Sequence, residues 1–485
     1  MKTGPENVSC PLRAASLASP DAPALICPSG ALTFAELDRR VSAAAEKFAA
    51  LDLKTGDRVG LYLPKDERYI ILLLALIRTG IVACPISTRI PVAGVLPLLR
   101  KAKCAALISE EDEELFRAAG EPVRKLRPET LLEDGVDRTD PPEPLGIPLT
   151  RPSTVIFTSG STGSPKAALH TFGNHYYNAL GSNENITLDA KRGDRWLHSL
   201  PLYHVGGLSI LFRCLLAGAA MVIPDTSVSL GRSIADNSAT HVSLVAAQLR
   251  RLLAEDADLG GVKAILLGGS GIPEDLLNDA YGRGLPVHTS YGLTEMASQV
   301  TTTRPGASRD ELGTSGAALP YRKVKVAGDG EILVSGETLF AGYLTEDGLE
   351  RPLDDDGWFH TRDTGEMDEA GRLHVAGRKD NLFVSGGENV QPEEIEAELR
   401  HLDGVEDAVV VPIPDAEFGA RPVAFVRMAD GGPPPEFARV LGPVLPRFKI
   451  PVAFHEWPRD AGQAGIKVDR AFFRERARML ASHNS

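Results

Sequence analysis

Strand-length and helix-length apolar patterns alternate along most of this 485-residue chain, and that alternation limits the folds open to it more than any other feature. Residues 32–48 place apolar side chains at helical spacing, with Thr33 as a cap candidate and Glu36 three positions on. Residues 57–63 read as a strand, and the run from Tyr69 to Ile77 reads as a buried helix. Residues 153–157, 220–223, 241–245 and 262–267 are strand-like, with helical stretches between them. Strands that alternate with helices pair mostly in parallel, and the helices cover the sheet faces. The pattern therefore predicts an α/β chain with a large amino-terminal part of mostly parallel sheets. After about Gly313 short strands between turns follow (residues 324–326, 331–334 and 372–375), which predicts a β-rich subdomain. From Asn381 onward the pattern predicts a small α+β unit. Residues 392–399 form its helix, with Pro at the first turn, and residues 408–412 a strand.

A chain this long exceeds a single core, so two to three domains are expected. The Pro-rich pieces at 141–144 and 432–435 read as linkers or loop tips, and Asp354 to Asp356 before Gly357 as a solvated turn. A net charge of -13 supplies no basic surplus, which argues against nucleic acid as a partner. The five cysteines include no Cys-x-x-Cys pair, so neither a zinc site nor a disulfide framework is expected. The apolar run ending at Arg78 falls far short of the ~20 residues a membrane helix needs. No charged segment followed by an apolar one opens the chain. These features predict a cytoplasmic protein without membrane insertion, and they leave open whether it forms a homo-oligomer.

Where the strand at 153–157 ends, the chain continues Thr158, Ser159, Gly160, Ser161, Thr162, Gly163, Ser164, Pro165, Lys166. Small hydroxyl residues and glycines let a backbone approach a polyphosphate and aim N–H groups at it, and Lys166 adds a mobile positive charge. The Walker loop, Gly-x-x-x-x-Gly-Lys-Ser/Thr, does not fit, because Pro165 precedes the lysine and Ala167 follows it. A flexible Ser/Gly linker is the competing reading, but linkers seldom end in Pro-Lys directly after a strand.

Five further segments follow in order. They are Leu200 to Gly207 with His204, then Gly268, Gly269 and Ser270, and then Ser290, Tyr291, Gly292, Leu293, Thr294 and Glu295. Trp358 to Asp363 comes next, and Gly377 to Asn381 is followed by Ser385, Gly386, Gly387 and Glu388. With the loop, this series resembles the adenylate-forming superfamily of acyl-CoA synthetases, luciferases and peptide-synthetase adenylation domains. The resemblance implies a carboxylate that attacks the α-phosphorus of ATP and releases pyrophosphate. A thiol then displaces AMP from the acyl group. Charge spreads over phosphate oxygens in the first step, so fixed donors, a cation and a metal would supply most of the catalysis.

The same resemblance implies that residues 158–166 hold the β- and γ-phosphates. It also implies that Gly268 to Ser270 and Ser290 to Gly292 flank the adenine, with Tyr291 offering a flat face. Thr294 would donate to the α-phosphate, Glu295 would hold Mg2+, and Asp363 with Arg378 would hold the ribose. Asp380 would be the hinge between residues 1–379 and a mobile lid at 380–485. Ser385, Gly386 and Gly387 would line a CoA channel. The family's terminal Gly-Lys-x-x-Arg is replaced here by Gly465, Ile466, Lys467 and Arg470, so Lys467 is the candidate for the mobile catalytic lysine. Lys449 is the weaker substitute.

Residues 168–175, the stretch from Leu200 through Ser209 to Arg213, and residues 381–395 resemble the o-succinylbenzoate–CoA ligases of menaquinone biosynthesis. His204, Ser209 and Arg213 would then line the acyl pocket. Arg213 lies in an apolar stretch, so a helix beginning near Gly207 would bury it at a cost unless an anion met it. Snorkelling to the surface is the alternative. Gly206 stands where a Ser is often found in that group. The expected function is an acid–thiol ligase that uses ATP, Mg2+ and CoA. Another aryl- or acyl-CoA synthetase, or a non-catalytic nucleotide-binding relative, remains open at this point. Because Glu295, Asp363, Arg378 and Lys467 are all present, the last is disfavoured.

Overall fold

The computed structural model describes residues 6–90, 92–111, 124–132, 145–158, 165–269, 271–385, 388–415, 418–429, 436–461 and 468–482. Local signals start and stop the helices. The Glu36 N–H donates to the Thr33 hydroxyl at 3.2 Å, and the Thr33 N–H donates to the Glu36 carboxylate at 2.8 Å, so helix Phe34–Ala49 begins there. Asp66 caps helix Glu67–Thr79, and Gly80 at φ 80° ends it. Tyr69 to Ile77 are all buried, as a helix apolar on every side must be.

That helix packs against helix Phe34–Ala49 and strand Val82–Pro85, beside two large sheets. In the first, strands Lys125–Leu126, Ala106–Ser109, Arg58–Tyr62, Val82–Pro85 and Pro152–Thr158 lie side by side in parallel. Lys166–Thr171, Gly342–Thr345 and Gly348–Glu350 then add on antiparallel. The second has a parallel centre of Val287–Leu293, Ala264–Leu267, His241–Leu244, Arg195–Leu197, Ala220–Val222 and Pro23–Cys27. Its ends, Ser298–Thr302 with Ala317–Ala318 and Gly30–Thr33, are antiparallel. The expectation of mostly parallel sheets holds for the centres. Hairpins supply the edges, because a hairpin needs no crossover helix. One apolar core draws Val59, Ile108 and Ile156 from the first sheet, Leu25, Met221 and Leu266 from the second, and Leu73, Leu208 and Leu211 from helices between them.

The β-rich piece is a four-stranded antiparallel sheet of Arg322–Val326, Glu331–Gly336, Phe359–Met367 and Leu373–Arg378. Beyond it, Val405–Asp415, Gly419–Met428 and Ala453–Glu456 form a three-stranded sheet. Alternation along Val405–Asp415 serves both of its faces. Ala408 and Val410 meet Ile395 and Leu399 of helix Pro392–Arg400, while Val409 and Val411 meet Phe473 and Ala477 of helix Arg470–Ser482. Among the described residues no helix is long and apolar enough to cross a membrane.

Candidate active site

The phosphate-loop candidate closes a hairpin. Thr158 and Lys166 face each other at the ends of two antiparallel strands, and Ser159, Gly160, Ser161, Thr162 and Gly163 lie outside the described residues. The Lys166 ammonium sits 4.6 Å from the centre of the Tyr343 ring, and the Tyr343 hydroxyl donates to Glu295 Oε1 at 2.5 Å. Burial, and then the Glu295 carboxylate, push the Tyr343 phenol up. One phenol therefore links the loop lysine to the metal-ligand candidate. The sequence reading missed Tyr343, whose signal is its place in a strand, directly across from Ala168 on the loop's own strand.

Thr294 and Glu295 form a tight helical turn, Thr294–Met296, after strand Val287–Leu293. A Cβ on Gly292 would lie 2.2 Å from the Ser298 carbonyl, so only glycine allows the next strand to return that closely. A Cβ on Gly268 would meet Ser290 Oγ at 2.7 Å, and Ser290 donates to the Leu267 carbonyl. These two motifs, apart in sequence, are thus in contact, beside Gly269; Ser270 lies outside the described residues.

Tyr291 is 9% exposed, and its hydroxyl donates to Asp363 Oδ2 at 2.6 Å. Arg378 donates to the other oxygen of Asp363 at 2.9 Å. The sequence reading placed the Tyr291 ring near this site but did not foresee its hydroxyl bond. Burial, and then Asp363, push the Tyr291 phenol well up. A carboxylate offers about four lone-pair sites, which suits Asp363 to accept from a diol.

On the other side, helix Val205–Ala217 begins two residues before the predicted Gly207, with an exposed His204 as its cap. A Cβ on Gly207 would lie 2.1 Å from the Pro201 carbonyl, which explains the glycine. Ser209 donates to the Gly206 carbonyl at 2.9 Å and lies 3.3 Å from Ser298 Oγ. Arg213 is 1% exposed and does not snorkel. Its Nη2 donates to Gln299 Oε1 at 2.6 Å, its guanidinium lies 5.0 Å from the Trp196 ring centre, and its Nε has no hydrogen-bond partner among the described residues. No carboxylate among the described residues meets it, and burial pulls its pKa down to about 9. Gln299, which also accepts from Ser182 at 2.8 Å, and Trp196 were missed in the sequence, because neither stands in a recognisable motif.

At the proposed hinge, Arg362 binds Asp380 Oδ1 at 2.5 Å and Arg378 binds Oδ2 at 3.3 Å. Burial raises the Asp380 carboxyl, but the two arginines outweigh it and hold it low. Ser385 is buried, and Gly386, Gly387 and Lys467 lie outside the described residues. Lys449, the alternative lysine, is paired with Glu394 at 2.6 Å.

Residues 12–344 match the family described as AMP-binding enzyme. The chain is 36% identical over 449 residues to the 2-succinylbenzoate–CoA ligase of Salmonella typhimurium, covering 93% of each. It is 35% identical over 444 residues to that of Escherichia coli K12, covering 92% of this chain and 93% of the relative. Among solved structures it resembles the o-succinylbenzoate–CoA synthetase of Bacillus subtilis bound to its acyl-adenylate intermediate. The TM-score is 0.87 at 29% identity, over 96% of this chain and 98% of that one. The same synthetase with ATP and a magnesium ion gives a TM-score of 0.84 at 29% identity, over 93% and 96%.

Proposed function

The chain belongs to the AMP-binding enzyme family, and from that premise we propose that it is a 2-succinylbenzoate–CoA ligase. In the first half-reaction an oxygen of the aliphatic carboxylate bonds to the α-phosphorus of ATP, and the bond to pyrophosphate breaks. In the second, the CoA sulfur bonds to the acyl carbon and AMP leaves. Residues 158–166 cradle the β- and γ-phosphates, Lys166 being steadied by the Tyr343 ring. Thr294 donates to the α-phosphate. Tyr291 with Gly268 to Ser270 and Ser290 to Gly292 flanks the adenine, and Asp363 with Arg378 takes the ribose hydroxyls. Glu295 offers a hard carboxylate oxygen that fits Mg2+, which when bound with ATP would neutralise phosphate charge.

Residues 1–379 act as the adenylation body and 380–485 as a lid that pivots at Asp380. Lys467 serves the first half-reaction, and the segment at Ser385 to Gly387 serves CoA in the second. Support for this division comes from the separate apolar core beyond residue 380. His204 and Ser209 flank the acyl group.

The observation that carries the substrate assignment is Arg213. A buried guanidinium held by an amide oxygen and an indole retains its charge for an anion, and the ring carboxylate of 2-succinylbenzoate is one. Pyrophosphate release across a panel of carboxylic acids, with and without CoA, tests the reading. The expected result is release with 2-succinylbenzoate and CoA-dependent turnover. A higher kcat/KM for a fatty acid or for a monocarboxylate would overturn it.

A further inference from the structure

The turn Thr294–Met296 is held by its three carbonyls, each of which is bonded. The Glu295 carbonyl accepts from the Phe340 N–H at 2.8 Å, and the Met296 carbonyl accepts from Asn178 Nδ2 at 3.0 Å. The Thr294 carbonyl lies 2.7 Å from His170 Nε2 and also closes the turn with the Ala297 N–H at 3.0 Å. A carbonyl can only accept, so His170 is the tautomer with its proton on Nε2. His170 is wholly buried, four residues after Lys166 on the same strand, Lys166–Thr171. Its ring packs 5.2 Å from that of His175, which is itself bonded to the Thr154 hydroxyl at 2.8 Å and stacked on Phe212 at 5.0 Å. The imidazole is thus fixed in place before it reaches Thr294. Burial also keeps it neutral. The turn needs such support, because Ala297 at its end holds φ 56°, a conformation a non-glycine residue adopts only when its surroundings impose it.

We propose that His170 is a positioning residue for adenylation: by donating from Nε2 to the Thr294 carbonyl it fixes the phosphate-loop strand against the Thr294–Glu295 turn. The loop cation, the Thr294 hydroxyl and the Glu295 carboxylate are then aimed together. The inference rests on the adenylation roles proposed for Thr294 and Glu295.

The test compares His170→Leu with His170→Gln in the full chain, since a glutamine amide can donate to the same carbonyl. In His170→Leu, pyrophosphate release at saturating substrates should fall about ten- to a hundredfold. The KM for 2-succinylbenzoate should stay within about twofold of wild type, because the acyl pocket is untouched. Amide hydrogen exchange at residues 293–297 should quicken in His170→Leu and not in His170→Gln, and the Gln variant should recover most of the rate. Wild-type turnover in His170→Leu would overturn the proposal. Equal losses in both variants, with both folded, would also overturn it, because ring packing would then be the cause. If His170→Leu does not fold, the Gln variant decides: a loss beyond about tenfold overturns the proposal. A wild-type enzyme that adenylates no carboxylic acid would sink the adenylation reading instead, and the exchange contrast would then decide for His170 alone.

Discussion

Arginines are buried both before and after the proposed hinge, and some of those before it keep company without carboxylates, although Arg78 is matched by Asp38 at 2.6 Å. Before residue 380, Arg213 meets an amide and an indole, and among the described residues Arg322 donates to the carbonyls of Gln299, Pro320 and Asn178 at 2.7–2.8 Å. Burial pulls both guanidiniums down to about 9. Beyond residue 380 three cations are matched by carboxylates. Arg470 binds Glu396 at 2.6 Å and Glu393 at 3.2 Å, Arg400 binds Asp407 at 3.0 Å, and Lys449 binds Glu394 at 2.6 Å. A matched pair has its charge satisfied inside the chain, where it pins helix to strand. An unmatched buried cation has not, and its field is available to a ligand. If the proposed role of Arg213 holds, an unmatched buried cation can serve a substrate where a matched one serves the fold.

The strongest challenge to this division is Lys467, a cation of the C-terminal part to which the first half-reaction is assigned by proposal. In Lys467→Ala, acyl-AMP formation should fall by about 10²–10³. Thioester formation from preformed acyl-AMP should survive, as separate half-reaction assays would show; equal losses in both would remove Lys467 from the first step. Next in size is Arg470→Leu, which leaves the buried Glu396 carboxylate without its main partner. Breaking a buried pair in this way costs about 3–5 kcal/mol. The denaturant midpoint should drop accordingly, and an unchanged midpoint would show that the matched cations do not hold the fold.

Arg213→Leu should do the reverse. Stability should change little, because an unmatched charge leaves the core. The KM for 2-succinylbenzoate should rise by roughly ten- to a hundredfold, from a contact worth about 1.5–3 kcal/mol. The KM for ATP should stay constant, and the preference over an analogue without the ring carboxyl should narrow. Equal loss for both acids would make Arg213 structural.

The smallest effect concerns protons. Burial pulls His241 down to about 4 and His198 to about 3. Both lie in the body, His241 at 5.3 Å from the same Trp196 ring that carries Arg213. Since the folded state resists protonation, the unfolded state binds more protons as pH falls below about 6.5. Stability is therefore whole above that pH and is lost towards pH 4. His241→Asn should flatten the fall in Tm between pH 7 and 5 by about 1–2 kcal/mol equivalent. A steeper fall in the variant would contradict the sign.

Local signals were legible in the sequence, and distant ones were not. The Thr33–Glu36 capping box and the buried helix from Tyr69 to Ile77 follow from residues a few positions apart, where propensity and spacing decide. The structure brings Gly268 against Ser290, and Tyr291 against Asp363 and Arg378, which the motifs name separately. They did not reveal that Tyr291 reaches Asp363 across 72 residues, or that Tyr343 stands between Lys166 and Glu295. Those partners depend on which strands become neighbours. Antiparallel edges were missed for the same reason, since alternation reports the crossover helices and says nothing of the hairpins that finish a sheet.

The seam between Lys166–Thr171 and Gly342–Thr345 also bears on synthesis. The ribosome releases the first of these strands long before the second, and among the described residues no other strand takes its outer side. Until Gly342–Thr345 arrives, that side presents a row of unpaired N–H and C=O groups, a surface on which nascent chains join one another. Tyr343, which covers Ala168 and bridges Lys166 to Glu295, comes with the late strand. The strand that covers this edge of the growing chain is therefore the one that brings Tyr343 to both Lys166 and Glu295.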